Sequence, residues 1–313
     1  MLYPAELPGP KPPEAGWTNA LRAGKAFSMN FRAAHRRRKR FWRFAVRTCT
    51  GLALAAQALA FSLPAMAGCG AASGTVQIAG VDERLDVVLS DGRIVRFGGL
   101  EAPGGDVEAA RQAREFLGAR LTGRSAELDL IARETDRWGR VVADLLLPVD
   151  SGPPEESAAA ALLARGYARV RPEFETRDCA NERLAIEDEA RRAGLGIWRD
   201  PDYAVIPSSD LAKLLQHDGQ FVVIEGRVRR VGFGRSRLYL DLVPRGGPTI
   251  VISRKLEPAF ARLGHPVGVL AGQMIRARGA LDDRLGPRLE VSEPAMIEFP
   301  RRSDAQGADK PRP

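Results

Sequence analysis

The sequence predicts a mainly β protein with helices: a small barrel carrying packed helices, then a second small barrel. Three observations predict it. Short apolar runs separated by turn signals fill residues 74–147 and 221–299. Three segments, 107–121, 157–165 and 179–193, carry helical spacing or helix stop signals among and after the first strands. The chain has 313 residues, 44% of them hydrophobic, which is enough for two domains that each bury a core. Three cysteines exclude a disulfide scaffold. His35, His217 and His265 never pair with cysteine at zinc spacing, which argues against a zinc site.

The net charge of +8 is unevenly spread. Residues 1–67 hold 11 Lys/Arg against 2 Asp/Glu, residues 68–206 hold 18 against 25, and residues 207–313 hold 18 against 12. Without the first segment the chain is nearly neutral, so its overall basicity says nothing about a polyanionic partner. The basic last third can still attract phosphates on its own. Residues 1–28 read as disordered, or as lying upstream of a true start at Met29. The block His35–Arg40, the uncharged apolar run Thr48–Leu63 and Ala65-Met66-Ala67 follow the order of a secretory signal. The expectation is export to the periplasm or medium, with no stable membrane insertion after cleavage. An uncleaved anchor and a lipidated Cys69 are the rivals. Export leaves Cys69 and Cys179 as an even pair in an oxidising compartment, and they are expected to bond.

In residues 70–200, Gly74–Ile78 and Leu85–Leu89 read as strands. Asp91-Gly92 marks a hairpin turn, and Ile94–Leu100 is the next strand. Val107–Leu121 is a helix, and Ala126–Ala132 and Val141–Leu147 are strands. Ser157–Arg165 is a helix stopped by Gly166, a short strand follows at Ala168–Arg171, and Cys179–Ala193 is a helix ending at Gly194.

This order carries quoted motifs: Leu100-Glu101-Ala102-Pro103 after an Arg-bearing strand, Thr135-Asp136-Arg137-Trp138-Gly139-Arg140, Gly166-Tyr167-Ala168, and Gly196-Ile197-Trp198. Together they resemble the thermonuclease, or staphylococcal-nuclease-like, family over about residues 74–198. The resemblance implies an OB-type five-stranded barrel with packed helices, and Ca²⁺-dependent cutting of DNA and RNA phosphodiesters. Such chemistry needs guanidiniums on the phosphate, a hard cation held by carboxylates, and a carboxylate that takes the water's proton. By resemblance the two guanidiniums fall on Arg96 and Arg140, and one loop carboxylate on Glu101. The water-activating loop Glu falls on Gly104, and the metal-binding strand Asp falls on Leu85. A register slip of one would offer Asp86 as a ligand, although such a slip turns the side chain to the other face. Asp82, Glu83, Asp106 and Glu108 are substitutes without motif support. The phosphate clamp is therefore present and the metal-and-base half is incomplete. The alternative is that Arg96 and Arg140 pair internally with Glu101 and Asp136.

In residues 207–300, Asp210 starts a helix at Leu211–Gln216, and Phe221–Val231 is one strand with Val223, Glu225 and Arg227 inward. Leu238–Leu242, Thr249–Ser253, Gln273–Gly279, Arg288–Val291 and Ala295–Phe299 follow as strands, with a helical turn at Pro258–Leu263. The pattern resembles an OB-fold nucleic-acid-binding module. Arg227, Arg229, Arg230, Phe233, Arg235 and Tyr239 interleave basic and stacking groups, as single-stranded DNA or RNA requires. The equal alternative is a solvated hairpin. His217 and His265 are expected at the surface, and residues 301–313 as a disordered tail.

The functional expectation is an exported protein acting on nucleic-acid phosphodiesters, binding them with impaired or retuned hydrolysis. Its rivals are an active Ca²⁺-dependent nuclease and a non-catalytic periplasmic interaction module.

Overall fold

The structure, a computed structural model, describes residues 69–104, 107–147 and 156–300. The leader, the cleavage pattern, Asp106 and the tail from residue 301 lie outside them. The described residues all fall in one compact unit.

The first half is a closed five-stranded barrel. Its strands are β1 (Ala71–Val81), β2 (Val87–Leu89), β3 (Ile94–Phe97), β4 (Ser125–Leu130) and β5 (Val141–Leu147). They pair in the order β1-β2-β3-β5-β4-β1, with β3 and β5 parallel and the other pairs antiparallel. Alternate residues such as Val87, Leu89, Val95, Phe97, Leu128 and Leu145 fill it. Helix α1 (Glu108–Leu121) buries Ala113, Leu117 and Leu121, one stripe at helical spacing. Helix α2 (Ala158–Ala164) is buried almost all round, which its Ala/Leu composition permits. Its cap Ser157 accepts from the Ala160 N–H and donates to buried Asp144, 2.6 Å away. Helix α3 (Ala180–Arg192) packs on α2, and its Arg183 reaches Asp144 at 3.2 Å. Cys69 and Cys179 are disulfide-bonded, with Cα atoms 5.5 Å apart, tying the start of β1 to the cap of α3.

The expected strand Ile94–Leu100 is in fact two. Gly98-Gly99 breaks it, with Gly99 at φ +72° and no room for a Cβ beside Thr176 and Arg183. Leu100–Glu101 then pairs with Arg169–Val170 in a separate two-stranded sheet.

The second half contains β6 (Phe221–Arg227), β7 (Arg230–Phe233), β8 (Arg237–Asp241), β9 (Thr249–Ser253), β10 (Met274–Asp282) and β11 (Arg288–Val291). Their order is β7-β8-β9-β11-β10-β6, with β9 and β11 parallel. The single expected strand Phe221–Val231 bends at 228–229, so that its two halves lie at opposite ends of this order. Helix α4 (Leu211–Gln216) precedes the sheet, capped by Asp210, and α5 (Glu257–Arg262) lies between β9 and β10.

The inward face of β6 is the reverse of the expected one. Val222 and Ile224 enter the core cluster, while Val223 and Glu225 stand opposite Arg278 and Arg276 of β10. The reason is that this second face is covered too. Arg278, 1% exposed at its side chain, donates to the Val170 carbonyl at 2.9 Å and to both oxygens of Glu187 in α3, at 2.8 and 3.0 Å. A polar face buried against the first half inverts the usual hydrophobic-in logic. His217 is also buried, its Nδ1 2.8 Å from the Lys213 carbonyl, and His265 stacks on Phe299 at 3.6 Å.

Candidate nucleic-acid site

The site is built on the turn Asp136–Arg140. Asp136 closes this turn itself. Its Oδ1 accepts from the backbone N–H groups of Trp138 and Arg140, both at 3.0 Å, and Gly139 takes φ +79°. That leaves Oδ2 to face outward. Arg140 donates to it from Nε at 2.9 Å, and Arg96 Nε, arriving on β3, lies 3.6 Å from it. The two guanidiniums, 44 positions apart in the chain, therefore meet at one carboxylate.

Two more carboxylates complete the cluster. Arg140 Nη1 donates to Asp86 at 2.7 Å. Arg96 donates from both terminal nitrogens to the two oxygens of Glu173, each at 3.1 Å. The Gly99 N–H adds a bond to Glu173 at 3.2 Å. Glu101 stands outside the cluster, where its partner is Arg171, at 2.8 Å.

Asp86 reaches Arg140 because the chain enters β2 irregularly. Asp82 accepts from the N–H groups of Arg84 and Asp86, both at 2.8 Å, and Leu85 sits at φ +64°. This left-handed step breaks the alternation that a simple register slip assumes, so Leu85 enters the core while Asp86 faces the site. Burial pushes the Asp86 carboxyl above its ordinary range despite the Arg140 guanidinium beside it. Burial also acts on Asp136, but the Arg140 and Trp138 N–H groups and the Arg140 guanidinium bring it below that range. A hollow of about 40 Å³, with room for a few waters, adjoins Asp86, Arg96, Ala102 and Leu162.

Two exposed aromatic rings flank the cluster, and the sequence reading did not single them out. Trp138, 65% exposed, carries Arg137 over its ring at 3.9 Å. Phe174, 58% exposed and next to Glu173, carries Arg177 at 4.2 Å. An aromatic inside a turn that also bears arginines was the available signal.

A Ca²⁺ site does not fit the residues present. Among the described residues no three or more His, Cys, Asp or Glu side chains are placed to share one cation. Asp86, Asp136 and Glu173 each bond a guanidinium, and Glu101 bonds another. A hard cation needs such oxygens free.

In the second half the predicted binding residues do not share one face. Arg230 pairs with Asp241 at 2.7 Å, Arg237 with Glu290 at 3.4 Å, and Arg227 donates to the Gly272 carbonyl at 2.6 Å. Tyr239 stands opposite Gly232, whereas exposed Phe233 stands opposite buried Leu238, so the two rings lie on opposite faces of the hairpin. Arg229 and Arg235 are exposed.

A closed five-stranded barrel in this order, with helices packed on it, is an OB-type barrel. The family model described as staphylococcal nuclease homologue matches residues 95–200. Protein ParB of Escherichia coli is 30% identical over 129 residues, covering 40% of this chain and 71% of that protein. The chain belongs to the family of staphylococcal nuclease homologues. Domains of this family bind nucleic acids. No helix among the described residues is long and apolar enough to cross a membrane.

Proposed function

We propose that the protein is an exported nucleic-acid-binding member of this family, in which the first barrel holds phosphates with Arg96 and Arg140 and hydrolysis is impaired. One observation carries the reading: among the described residues, Asp86, Asp136 and Glu173, the carboxylates in contact with the two guanidiniums, are each bonded to one of them, so none of the three is free for a metal or an attacking water. Gly104 stands where the resemblance calls for the proton acceptor, and it has no side chain to serve. Trp138 and Phe174 offer stacking faces beside the arginines, which suits single strands. The second half acts as an OB-like accessory module, a role supported by its strand order and its exposed arginines. The leader supports export, and export supports an oxidised Cys69–Cys179 pair.

The test is plasmid nicking with and without Ca²⁺, run beside salt-titrated anisotropy with a single-stranded oligonucleotide. The expected outcome is salt-sensitive binding, weakened by Arg140→Ala, and little or no nicking. Ca²⁺-dependent nicking that disappears in Arg140→Ala would replace this reading with that of an active nuclease. Absence of both binding and nicking would leave the interaction module.

A further inference from the structure

Glu173 occupies the cluster in an unusual way. Arg96 presents two parallel N–H groups, the fork a guanidinium offers to two phosphate oxygens. Glu173 fills that fork with both carboxylate oxygens, and the Gly99 N–H binds the same anion. Its backbone is held separately: the Glu173 N–H donates to Thr176 Oγ1 at 3.2 Å, and the Glu173 carbonyl accepts from the Thr176 N–H at 3.1 Å. The side chain is 21% exposed, so it has a path to water. Outside the fork, exposed Arg171 bonds Glu101 through Nη1 and turns its Nε toward Glu173, 4.0 Å away, as a second partner.

Charge points the same way. Arg96 and Arg140 face Asp86, Asp136 and Glu173, two cations against three carboxylates. An incoming phosphate would add a fourth anion. If Glu173 swings out toward Arg171, two cations and two carboxylates remain, and the Arg96 fork is open.

We infer that Glu173 is a built-in competitor for the anion position of Arg96, and that a nucleic-acid phosphate binds the cleft only by displacing it. This rests on the reading that the paired guanidiniums take phosphate. The competitor sets the affinity of the site, and it selects ligands that can also hold on elsewhere, such as strands that stack on Trp138 and Phe174.

The test uses the whole secreted chain, with two probes: a labelled twelve-nucleotide oligothymidylate, followed by anisotropy, and inorganic phosphate, followed by calorimetry. Glu173→Gln keeps the side chain's shape and its acceptor for Gly99 but removes the charge. It is expected to tighten both probes by about tenfold to a hundredfold, the range one charge-assisted hydrogen bond commands. Arg96→Ala in the Glu173→Gln background is expected to abolish the gain. Glu173→Asp, one methylene shorter, covers the case in which the Gln variant is poorly folded. Its arm falls short of the fork, so it too is expected to tighten binding. If phosphate tightens but no variant binds the oligonucleotide, the competitor stands and the nucleic-acid reading fails. If neither variant tightens either probe, Glu173 is a strut for Arg96 and the inference is overturned.

Discussion

Arg278→Met tests whether the two halves are one cooperative structure. Arg278 grows from β10, yet three of its hydrogen bonds go to the first half: two to Glu187 and one to the Val170 carbonyl. A fourth goes to Glu298, at 2.5 Å. The guanidinium is out of water and Glu187 is 2% exposed at its side chain; Arg278 is the guanidinium bonded to Glu187, while buried Arg169 acts on it from farther off. Methionine fills much of the stem's volume but leaves Glu187 with the Val170 N–H as its remaining partner. Stranding a buried charge in this way costs about 3–5 kcal/mol. Native stability is about 5–15 kcal/mol in all, so the loss is large. The two tryptophans of the described residues, Trp138 and Trp198, both lie in the first half, while the substitution lies in the second. Urea unfolding followed by tryptophan fluorescence therefore reads the effect across the seam. A downward shift of that magnitude is expected, with part of it recovered by Glu187→Met in the same chain, since removing both charges leaves none unpaired. A tryptophan transition moved by less than about 1 kcal/mol would refute the reasoning, as would a double variant as unstable as the sum of the singles.

Three further outcomes follow from the same geometry. Asp86 and Asp136 share Arg140 but their carboxyls move in opposite directions. Asp86, raised by burial, contributes stability below its unfolded value of 3.8 and loses it as pH climbs through its folded value. Asp136, lowered, contributes stability at higher pH and loses it as pH falls below 3.8. In urea unfolding between acid and neutral pH, Asp86→Asn is expected to gain on wild type as pH rises, and Asp136→Asn to lose; parallel slopes would be inconsistent with this. The Cys69–Cys179 bond spans 110 positions, and in the chain-entropy model such a loop contributes about 4–5 kcal/mol. Reduction should lower the unfolding free energy by most of that amount, and a change under about 1 kcal/mol would mean that the unfolded chain is already held together elsewhere. Arg169 is buried between the rings of Tyr203 and Phe221, at 4.9 and 5.0 Å, with no hydrogen bond from its guanidinium among the described residues. Arg169→Met should be neutral or stabilising in a thermal melt, because the burial cost of the charge outweighs its attraction to Glu101 and Glu187 and offsets a cation–π gain of about 2 kcal/mol at most. A loss of several degrees would count against that balance.

What was legible in the sequence was whatever local chemistry decides. Ser157 and Asp210 mark helix starts by their capping oxygens, and Gly194 marks a stop by its left-handed φ. Val141–Leu147, Thr249–Ser253 and Arg288–Val291 appear with the expected bounds, because each is a short apolar or alternating run between turn residues. The bend at 228–229 was illegible because Arg227-Val228-Arg229-Arg230-Val231 holds no glycine, proline or asparagine to mark it. Only pairing to two different sheet edges breaks that strand. The face of Phe221–Arg227 was read backwards because Glu225 and Arg276 are buried as a pair, so polarity no longer marks the solvent side.

The site divides along the same line. Arg140 and Asp136 sit four residues apart in one turn, and their pairing could be weighed from the sequence. Glu173 lies 77 positions from Arg96, and it arrives through a one-turn helix whose placement depends on Leu100–Glu101 pairing with Arg169–Val170. Two-residue strands have no periodicity to read. This has a chemical consequence. Aligning motifs asks which family carboxylates are missing, and the answer is the proton acceptor at Gly104 and the metal ligand at Leu85. The folded chain brings other carboxylates to the same guanidiniums, from positions no motif covers. A cleft short of acids by motif thus gains acids by geometry, and Asp86, Asp136 and Glu173 are each bonded to an arginine. Whether this cleft takes phosphate therefore depends less on the two missing residues than on how readily Glu173 lets go of Arg96.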